Sequence, residues 1–252
     1  MVTIDLSGKV ALVTGGSGEL GRVMVRTLAA AGADVAIHYH RNETTARQLV
    51  TELEALGRRA VAVQADVTVQ ADVERMRDTV VAALGAPSII VNNAVIQYKW
   101  VHILDQDPAD YESQFRSCVM HNVLMAKAFV PAMKAAGWGR VIAINTECAM
   151  QCHPSQSAYI AGKRGLDGIC RVLAKEIGSH GITVNQVAPG YTVSENRPEE
   201  VRGDGYLQTV ALKRWGHDQD IANAVLFLAS DLASYITGAY IPVCGGNVMP
   251  TI

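Results

Sequence analysis

The chain has few charged and aromatic residues, no excess of either charge and no long apolar run. Charged residues make up 18% of its 252 positions, aromatic residues 6% and hydrophobic residues 49%, and the formal net charge is −2. Such a chain has no basic footprint for nucleic acid or an anionic membrane. No stretch approaches the ~18 consecutive apolar residues of a membrane span, and the first residues lack the charged and apolar regions of a secretory signal. We therefore expect a cytoplasmic protein with one large core.

Cysteine is also scarce, and its spacing fits no disulfide framework. Five cysteines stand at positions 118, 148, 152, 170 and 244, an odd number that agrees with a reducing compartment. Cys148, Cys152 and His153 are residue types that ligate metals, but no fourth ligand has a suitable spacing. We therefore predict no metal site.

Short apolar runs alternate with segments of helical periodicity along the chain. Strands that are apolar on both faces and alternate with helices indicate a parallel sheet covered on both sides. The number of units favours an open doubly wound sheet over a (β/α)₈ barrel, which would need another unit. The predicted fold is α/β, a three-layer doubly wound (Rossmann) parallel sheet of about seven strands in a single domain, residues 1–252. The predicted strands contain residues 10–13, 35–37, 61–63, 89–91, 141–144, 182–184 and 240–243, and the longest predicted helical region is about 109–136.

One polar segment, about residues 192–214, interrupts this alternation. It contains several charged residues and a Gly-Asp-Gly turn, and it follows the carboxyl end of a predicted strand. A long polar connection inside a compact domain is usually a lid or a disordered loop. We favour a substrate lid over a disordered loop.

The first predicted strand runs into a glycine-rich turn, Thr14 to Gly21, and then a helix. Glycines permit a tight turn and a close approach of the backbone to a pyrophosphate, and the helix N-terminus supplies amide donors and a partial positive charge. Gly16, Gly18 and Gly21 satisfy the pattern G-x-G-x-x-G in the strand–turn–helix context that it requires. We favour a dinucleotide site over an ordinary glycine-rich turn, and we expect Glu19 to point to solvent.

The second predicted strand ends in basic and aromatic residues instead of an acid. An NAD site usually has an acidic side chain here that binds the ribose hydroxyls, whereas a 2′-phosphate favours a guanidinium. Between the predicted strand and Glu43, residues 38–42 include no Asp or Glu, and Arg41 is available. NADP(H) is therefore favoured, with NAD(H) as the alternative if Arg41 is only a solvated residue at a helix start.

Tyr159 and Lys163 are four positions apart, and in a helix such positions share a face. A free tyrosine ionises near pH ~10, and a cation about 5 Å away at an effective dielectric constant near ~20 would lower that pKa by roughly two units. Taken alone, the pair is most often a solvated pair on a helix surface. In a binding site, Tyr159 can act as a proton donor and Lys163 as the cation that lowers its pKa.

Further motifs follow the predicted strands and helices. With the glycine turn they are Asp66-Val67, Asn92-Asn93-Ala94-Val95, Asn122, Thr146 thirteen positions before Tyr159, Tyr159-x-x-x-Lys163 and Pro189-Gly190. Together these motifs resemble the short-chain dehydrogenase/reductase family over nearly the whole chain. The predicted cofactor contacts are Gly15, Ser17, Gly18, Leu20, Gly21, Arg41, Asp66, Val67, Asn93, Ala94, Tyr159, Lys163, Pro189, Gly190, Thr192 and Ser194.

The resemblance implies hydride transfer between a nicotinamide and a carbonyl or alcohol carbon. In that reaction Tyr159 exchanges a proton with the substrate oxygen, and Thr146 donates a hydrogen bond to it. Lys163 lowers the pKa of Tyr159 and binds the nicotinamide ribose. Asn122 holds a water molecule that links Lys163 to solvent.

Three departures from the family's motifs bear on specificity. Glu19 and Val95 each replace a glycine, and Gly18 then supplies the glycine spacing of the family's extended members. Thr146 replaces the usual serine, and its extra methyl group narrows the pocket and stiffens χ1. We expect substrate contacts from Val95, Glu147, His153 and Tyr191, with pocket walls at residues 95–100 and 147–153. For Glu147 the alternative is a structural carboxylate.

The C-terminal half resembles 3-oxoacyl-carrier-protein reductases, but the positions where those enzymes present basic residues to the carrier are Gly137 and His180 here. We therefore favour a small-molecule ketone, hydroxy-ketone or sugar-like substrate over a 3-oxoacyl thioester. The resemblance also implies a homotetramer or homodimer. A catalytically impaired dinucleotide-binding sensor is a weaker alternative because Asn122, Tyr159 and Lys163 are all present. Epimerisation or dehydration is weaker because no second domain is expected.

Overall fold

The computed structural model describes residues 3–194 and 205–250. The strands are β1 (Val10–Val13), β2 (Asp34–Tyr39), β3 (Ala60–Gln64), β4 (Ile89–Asn92), β5 (Gly139–Ile144), β6 (Ile182–Pro189), β7 (Thr192–Val193), β8 (Gly216–His217) and β9 (Tyr240–Val243). The α-helices are α1 (Glu19–Ala30), α2 (Glu43–Ala55), α3 (Gln70–Leu84), α4 (Pro108–Gln114), α5 (His121–Ala136), α6 (Cys148–Gln151), α7 (Ser157–Ile177), α8 (Gly205–Thr209) and α9 (Asp218–Ala229).

Seven strands form one parallel sheet in the order β3-β2-β1-β4-β5-β6-β9. Val13 of β1 lies opposite Ile37 of β2 on one side and Val91 of β4 on the other. The chain moves outward from β1 to β3 and then returns to β4, so the strand order reverses beside β1. Such a reversal opens a crevice at the carboxyl ends of the strands. The predicted doubly wound fold of about seven strands is confirmed.

Helices cover both faces of this sheet. Helices α1, α2 and α9 pack on one face, and α3, α5 and α7 pack on the other. Within β1, Ala11 and Val13 belong to the first core, while Val10 and Leu12 belong to the second. This burial on both sides explains why the strands are continuous apolar runs in the sequence.

The helical region expected at about 109–136 is present but is not one continuous α-helix. Asp107 accepts a hydrogen bond from the Ala109 amide at the start of α4, and Pro108 occupies the first turn. A π-helical segment, Phe115–Met120, then joins α4 to α5. Such segments are rare and often lie at functional sites, and this one ends two residues before Asn122.

The predicted lid lies only partly within the described residues. Strand β7 pairs in parallel with β8, and α8 lies between them in sequence. Residues 195–204 lie outside the described part of the chain, and the lid stays a prediction.

No α-helix in the described ranges combines the length and apolar character needed to cross a bilayer. Within the same ranges no three side chains of the metal-ligating types come together as a metal site. All five cysteines are free. The cytoplasmic location and the oligomeric state stay predictions.

Candidate active site

A cleft of about 1300 Å³ opens at the carboxyl ends of the strands. It is lined by most of the residues predicted for cofactor binding, catalysis and substrate binding: Gly15, Ser17, Gly18, Leu20, Arg41, Asp66, Val67, Asn93, Ala94, Val95, Thr146, Tyr159, Lys163, Pro189, Gly190, Tyr191, Thr192 and Ser194. Gly21, Asn122 and His153 do not line it, and Glu147 lines a smaller neighbouring cavity. The structure therefore brings nearly all of the predicted residues together.

The glycine turn between β1 and α1 lines this cleft. Gly15 has a φ of +63°, which favours glycine, and a Cβ there would lie 3.1 Å from Ala94 Cα. The Gly15 amide donates to His38 Nδ1 (2.9 Å). The Asn93 side-chain amide donates to the carbonyl oxygens of Thr14 and Gly15 (3.0 and 3.2 Å). These bonds hold the turn against the ends of β2 and β4, the two strands that flank β1.

Two other glycines of the turn have separate structural tasks. Gly18 is the N-cap of α1 and has no side chain to accept from the first helical amides. Gly21 lies so close to the turn that a Cβ would collide with the Gly15 carbonyl group. A tight backbone at the start of a helix fits a dinucleotide pyrophosphate.

Glu19 does not point to solvent, so that expectation is wrong. Its carboxylate lines the cleft, accepts a hydrogen bond from Ser194 Oγ (2.7 Å) and pairs with Arg22 Nη2 (3.0 Å). Glu19 is the first residue of α1, where helical amide dipoles stabilise a carboxylate. It therefore places a negative charge beside the glycine turn.

The cleft is also lined by Arg41, which is exposed, by Asp66 and by His38. The His38 residue is almost completely buried. Because His38 Nδ1 accepts from the Gly15 amide, Nε2 carries the proton and donates to the Ala65 carbonyl (3.0 Å). Burial lowers the pKa of His38 to about 4, so the ring is neutral at pH 7.

Tyr159 and Lys163 lie on α7, and both line the cleft. The buried Lys163 Nζ donates to the Ile144 carbonyl (2.6 Å) and lies 5.7 Å from the centre of the Tyr159 ring. Burial lowers the pKa of Lys163 and raises the pKa of Tyr159. The expected lowering of the Tyr159 pKa by Lys163 is therefore not found, because desolvation of the phenol dominates. Tyr159 is a neutral phenol at pH 7.

A buried amide network holds α7 against the sheet. Asn145 Nδ2 donates to the Lys163 carbonyl (3.1 Å) and to Gln186 Oε1 (2.7 Å), and Gln186 Nε2 donates to Asp167 Oδ1 (2.8 Å). Buried amides need such partners, so the network fixes the position of α7 relative to β5 and β6. Sequence reasoning did not identify Asn145 or Gln186.

Thr146 follows the end of β5 and is buried. Its hydroxyl oxygen accepts from the Cys148 amide (3.2 Å), and its side chain hydrogen-bonds that of Tyr159, which lowers the Tyr159 pKa against the larger effect of burial. The Tyr240 hydroxyl donates to the Thr146 carbonyl. Since the Thr146 oxygen accepts from an amide, its proton can be donated towards Tyr159 or a substrate oxygen.

Asn122 is buried behind the cleft, and its amide is engaged by the protein. Nδ2 donates to the Cys118 carbonyl in the π-helical segment (2.7 Å), and Oδ1 accepts from Asn92 Nδ2 (2.7 Å). These bonds tie the π-helical segment to the end of β4. The predicted water-mediated link between Asn122 and Lys163 stays a prediction.

A second cavity of about 170 Å³ adjoins the cleft and has aromatic walls, Tyr98, Trp100 and Tyr191. Trp100 stacks on Tyr159, with ring centroids 5.8 Å apart, and the Tyr98 hydroxyl accepts from the Tyr159 amide (2.6 Å). Tyr98 and Trp100 fall within the predicted pocket wall at residues 95–100. With Tyr159, four aromatic residues therefore line this cavity.

Glu147 lines this second cavity, but its carboxylate is used inside the protein. It accepts hydrogen bonds from the Tyr206 hydroxyl (2.9 Å) and Asn247 Nδ2 (3.0 Å), which supports the structural alternative. His153 is exposed and lines neither of these cavities, and its predicted substrate contact stays a prediction. Tyr206 and Asn247 were missed because they are distant in sequence and belong to no motif.

Comparison with known proteins agrees with this geometry. A family model described as "Enoyl-(Acyl carrier protein) reductase" matches residues 17–247. The 3-oxoacyl-[acyl-carrier-protein] reductase of Staphylococcus epidermidis is 36% identical over 253 residues, covering 96% of this chain and 99% of the relative. The chain belongs to the short-chain dehydrogenase/reductase family.

Solved structures of this family superpose closely. A blue fluorescent protein from a metagenomic library, in complex with NADPH, is 36% identical with a TM-score of 0.90, covering 97% of this chain and all of the other. A 7α-hydroxysteroid dehydrogenase with NADH and 7-oxo glycochenodeoxycholic acid is 29% identical with a TM-score of 0.91, covering 98% and 97%. As a short-chain dehydrogenase/reductase, the protein is an NAD(P)-dependent oxidoreductase that acts on CH–OH and C=O groups.

Proposed function

We propose that the protein is an NADP(H)-dependent carbonyl reductase that transfers a hydride between the nicotinamide and a ketone or secondary alcohol of a compact small molecule. The observation that carries this proposal is that Thr146 and Tyr159 line both the large cleft and the smaller cavity. A cofactor in the cleft and a carbonyl compound in the cavity would meet at these two hydroxyl groups.

The residues of the cleft fit a phosphorylated dinucleotide. The turn at Gly15 and Gly18 offers backbone without Cβ atoms at the start of α1, and Arg41 offers a guanidinium for a 2′-phosphate. When bound, NADP(H) supplies the hydride donor or acceptor. The NADPH bound to the metagenomic blue fluorescent protein supports this choice, and the NADH bound to the 7α-hydroxysteroid dehydrogenase keeps NAD(H) as the alternative.

The protein's own groups handle the proton. In reduction, Tyr159 gives its proton to the substrate oxygen as the carbonyl carbon takes up hydride, and Thr146 donates a hydrogen bond that polarises the carbonyl. The Lys163 ammonium beside the Tyr159 ring stabilises the phenolate left behind. Because burial keeps Tyr159 protonated, it can donate this proton in the reductive direction at neutral pH.

A compact substrate is favoured by the size and walls of the second cavity. About 170 Å³ bounded by Tyr98, Trp100 and Tyr191 accommodates a small or flat molecule better than a long acyl chain. The exposed positions Gly137 and His180 also carry neither lysine nor arginine for contact with an acidic carrier.

A 3-oxoacyl thioester is the second candidate, and the name of the 36% identical relative from S. epidermidis favours it. Consumption of NADPH with a panel of free ketones and carrier-linked 3-oxoacyl thioesters separates the two. We expect compact ketones to have the higher kcat/KM. A carrier-linked ester that is reduced much faster than its free small-ester analogue would reverse this choice.

The Tyr159→Phe variant tests the catalytic proposal. We expect kcat to fall at least 10³-fold because the proton donor is lost, while the Kd for NADPH changes less than twofold. Tyr235→Phe, which removes a hydroxyl from a fully exposed ring, is the control and should behave as the wild type. Near wild-type turnover by Tyr159→Phe would contradict the proposal. If the wild type binds NADPH but turns over neither ketones nor thioesters, a dinucleotide-binding sensor is favoured.

A further inference from the structure

Glu147 is a buried carboxylate next to Thr146 that contacts three other parts of the chain. Its side chain lies in the wall of the small cavity, and the residue is only 4% exposed. Oε1 accepts from the Tyr206 hydroxyl of α8 (2.9 Å), and Oε2 accepts from Asn247 Nδ2 near the C-terminus (3.0 Å). The Tyr191 backbone amide also faces this carboxylate and lowers the pKa of Glu147 against the larger, raising effect of burial. A buried carboxylate is tolerated when its oxygens are partnered in this way.

The Tyr206 hydroxyl connects two other members of this cluster. It donates to Glu147 and accepts from the Tyr191 amide (2.8 Å). Its position is therefore fixed by one donor and one acceptor, from the segments after β6 and β5. Removing either partner would leave a polar group unpaired, and the ring would lose its fixed orientation.

The Tyr206 ring in turn supports the outer wall of the small cavity. It stacks on Trp215 with ring centroids 5.3 Å apart and 9° between the planes. The Tyr191 ring lies 5.4 Å from both of them. Trp215 is buried, whereas Tyr191 is half exposed and lines both the cleft and the small cavity. The position of the Tyr191 ring thus depends on where Tyr206 is held.

We propose that Glu147 and Tyr206 are positioning residues that form a latch between α8 and the end of β5 and thereby set the size of the substrate pocket. The latch holds the Tyr191 wall close to Thr146 and Tyr159, so that compact carbonyl compounds fit and bulky ones are excluded. The size selection rests on the proposed reduction of a compact ketone, whereas the latch itself does not.

Three variants test the latch. Tyr206→Phe removes the hydroxyl and keeps the stacked ring. Glu147→Gln replaces one carboxylate oxygen by an NH₂ group, which cannot accept a hydrogen bond from the Tyr206 hydroxyl or from Asn247 Nδ2. Neither side chain is expected to touch the reacting atoms, so we expect KM for a compact ketone to rise about tenfold and kcat to change less than threefold. The ratio of kcat/KM for a bulky ketone to that for a compact one should rise at least fivefold. The double variant should be no worse than the worse single variant, because both remove one shared bond.

Hydrogen exchange provides a readout that needs no turnover. The Val210 amide donates to the Tyr206 carbonyl at the end of α8 (3.3 Å), so release of the latch should raise exchange of the 205–210 amides several-fold. Tyr235→Phe is the matched control, and exchange in β1 should be unchanged in every variant, which excludes global unfolding.

The outcomes separate the latch from the proposed function. Unchanged exchange at 205–210 in both single variants overturns the latch. Faster exchange with an unchanged bulky-to-compact ratio overturns the size selection. If the wild type reduces no ketone, the proposed function and the size selection both fail, and the exchange measurement alone decides whether Glu147 holds α8.

Discussion

Trp100 lies over Tyr159, with ring centroids 5.8 Å apart and 28° between the ring planes. Because Trp100 lies over the Tyr159 ring and is itself 46% exposed, it stands between the phenol and solvent on one side of the small cavity. Burial is the largest cause of the raised pKa of Tyr159. The acidity of the proposed proton donor therefore depends on a side chain that belongs to none of the motifs.

Replacement of Trp100 by alanine should shift the pH profile of the reaction. Water would reach the phenol, and the pKa of Tyr159 would fall towards its ordinary value near ~10. Reduction needs the protonated phenol, so the alkaline limb of kcat/KM should move to lower pH in Trp100→Ala. Trp138→Leu, which removes a ring placed over Lys9 and Arg140, is the control. An alkaline limb at the same pH in Trp100→Ala and wild type would contradict this role.

Glu19 provides a second test, beside the glycine turn of the cleft. Its carboxylate lies at the first turn of α1, where a bound pyrophosphate would also be attracted. A like charge at roughly 9 Å and an effective dielectric constant near ~40 costs about 1 kcal/mol. Glu19→Gln should therefore tighten NADPH binding about fivefold in a fluorescence titration, and the gain should shrink at high salt.

The matched control for Glu19 is Glu52→Gln. Glu52 lies on α2, pairs with Arg26 and does not line the cleft, so its loss should leave NADPH affinity within twofold. Equal or weaker NADPH binding by Glu19→Gln would mean that the hydrogen bond to Ser194 matters more than the repulsion.

Arg41 should decide between the two cofactors. Its exposed guanidinium lines the cleft after β2, and a charge-assisted pair with a 2′-phosphate has no equivalent in NADH. Arg41→Ala should weaken NADPH binding at least tenfold and change NADH binding less than twofold. Arg47→Ala on α2, which pairs with Glu43, is the control. A parallel loss for both cofactors would argue against a contact with the 2′-phosphate.

The sequence predicted the sheet because its strands are buried on both faces, as Val10 to Val13 illustrate. It also predicted most cleft residues, since motifs at strand ends meet at one edge of a parallel sheet. The orientation of Glu19 could not be predicted, because it depends on Ser194, which is 175 positions away. The contacts of Glu147 with Tyr206 and Asn247 likewise join residues 59 and 100 positions apart. Such pairings follow from packing and leave no local periodicity.

His38 makes stability depend on pH in a defined window. Its pKa is about 4 in the folded protein because of burial, against an ordinary value of about 6.5 in the unfolded chain. Above pH 6.5 both states are neutral at this ring, and the free energy of unfolding does not depend on it. Between pH 6.5 and 4 the unfolded chain binds a proton that the folded protein does not, so stability falls as pH falls, by about 3 kcal/mol in total.

The variant His38→Asn removes this titration and keeps a side-chain acceptor within reach of the Gly15 amide. Urea unfolding between pH 7.5 and 4.5 should give a shallower loss of stability in the variant than in the wild type. The pKa of His121 is lowered to about 3, mainly by burial and secondly by His38, so the difference between the two proteins reports His38 together with its effect on His121. Direct titration of the His38 ring by NMR in the folded protein checks the cause. A folded-state pKa near 6.5 would show that the Gly15 turn does not depend on the neutral ring.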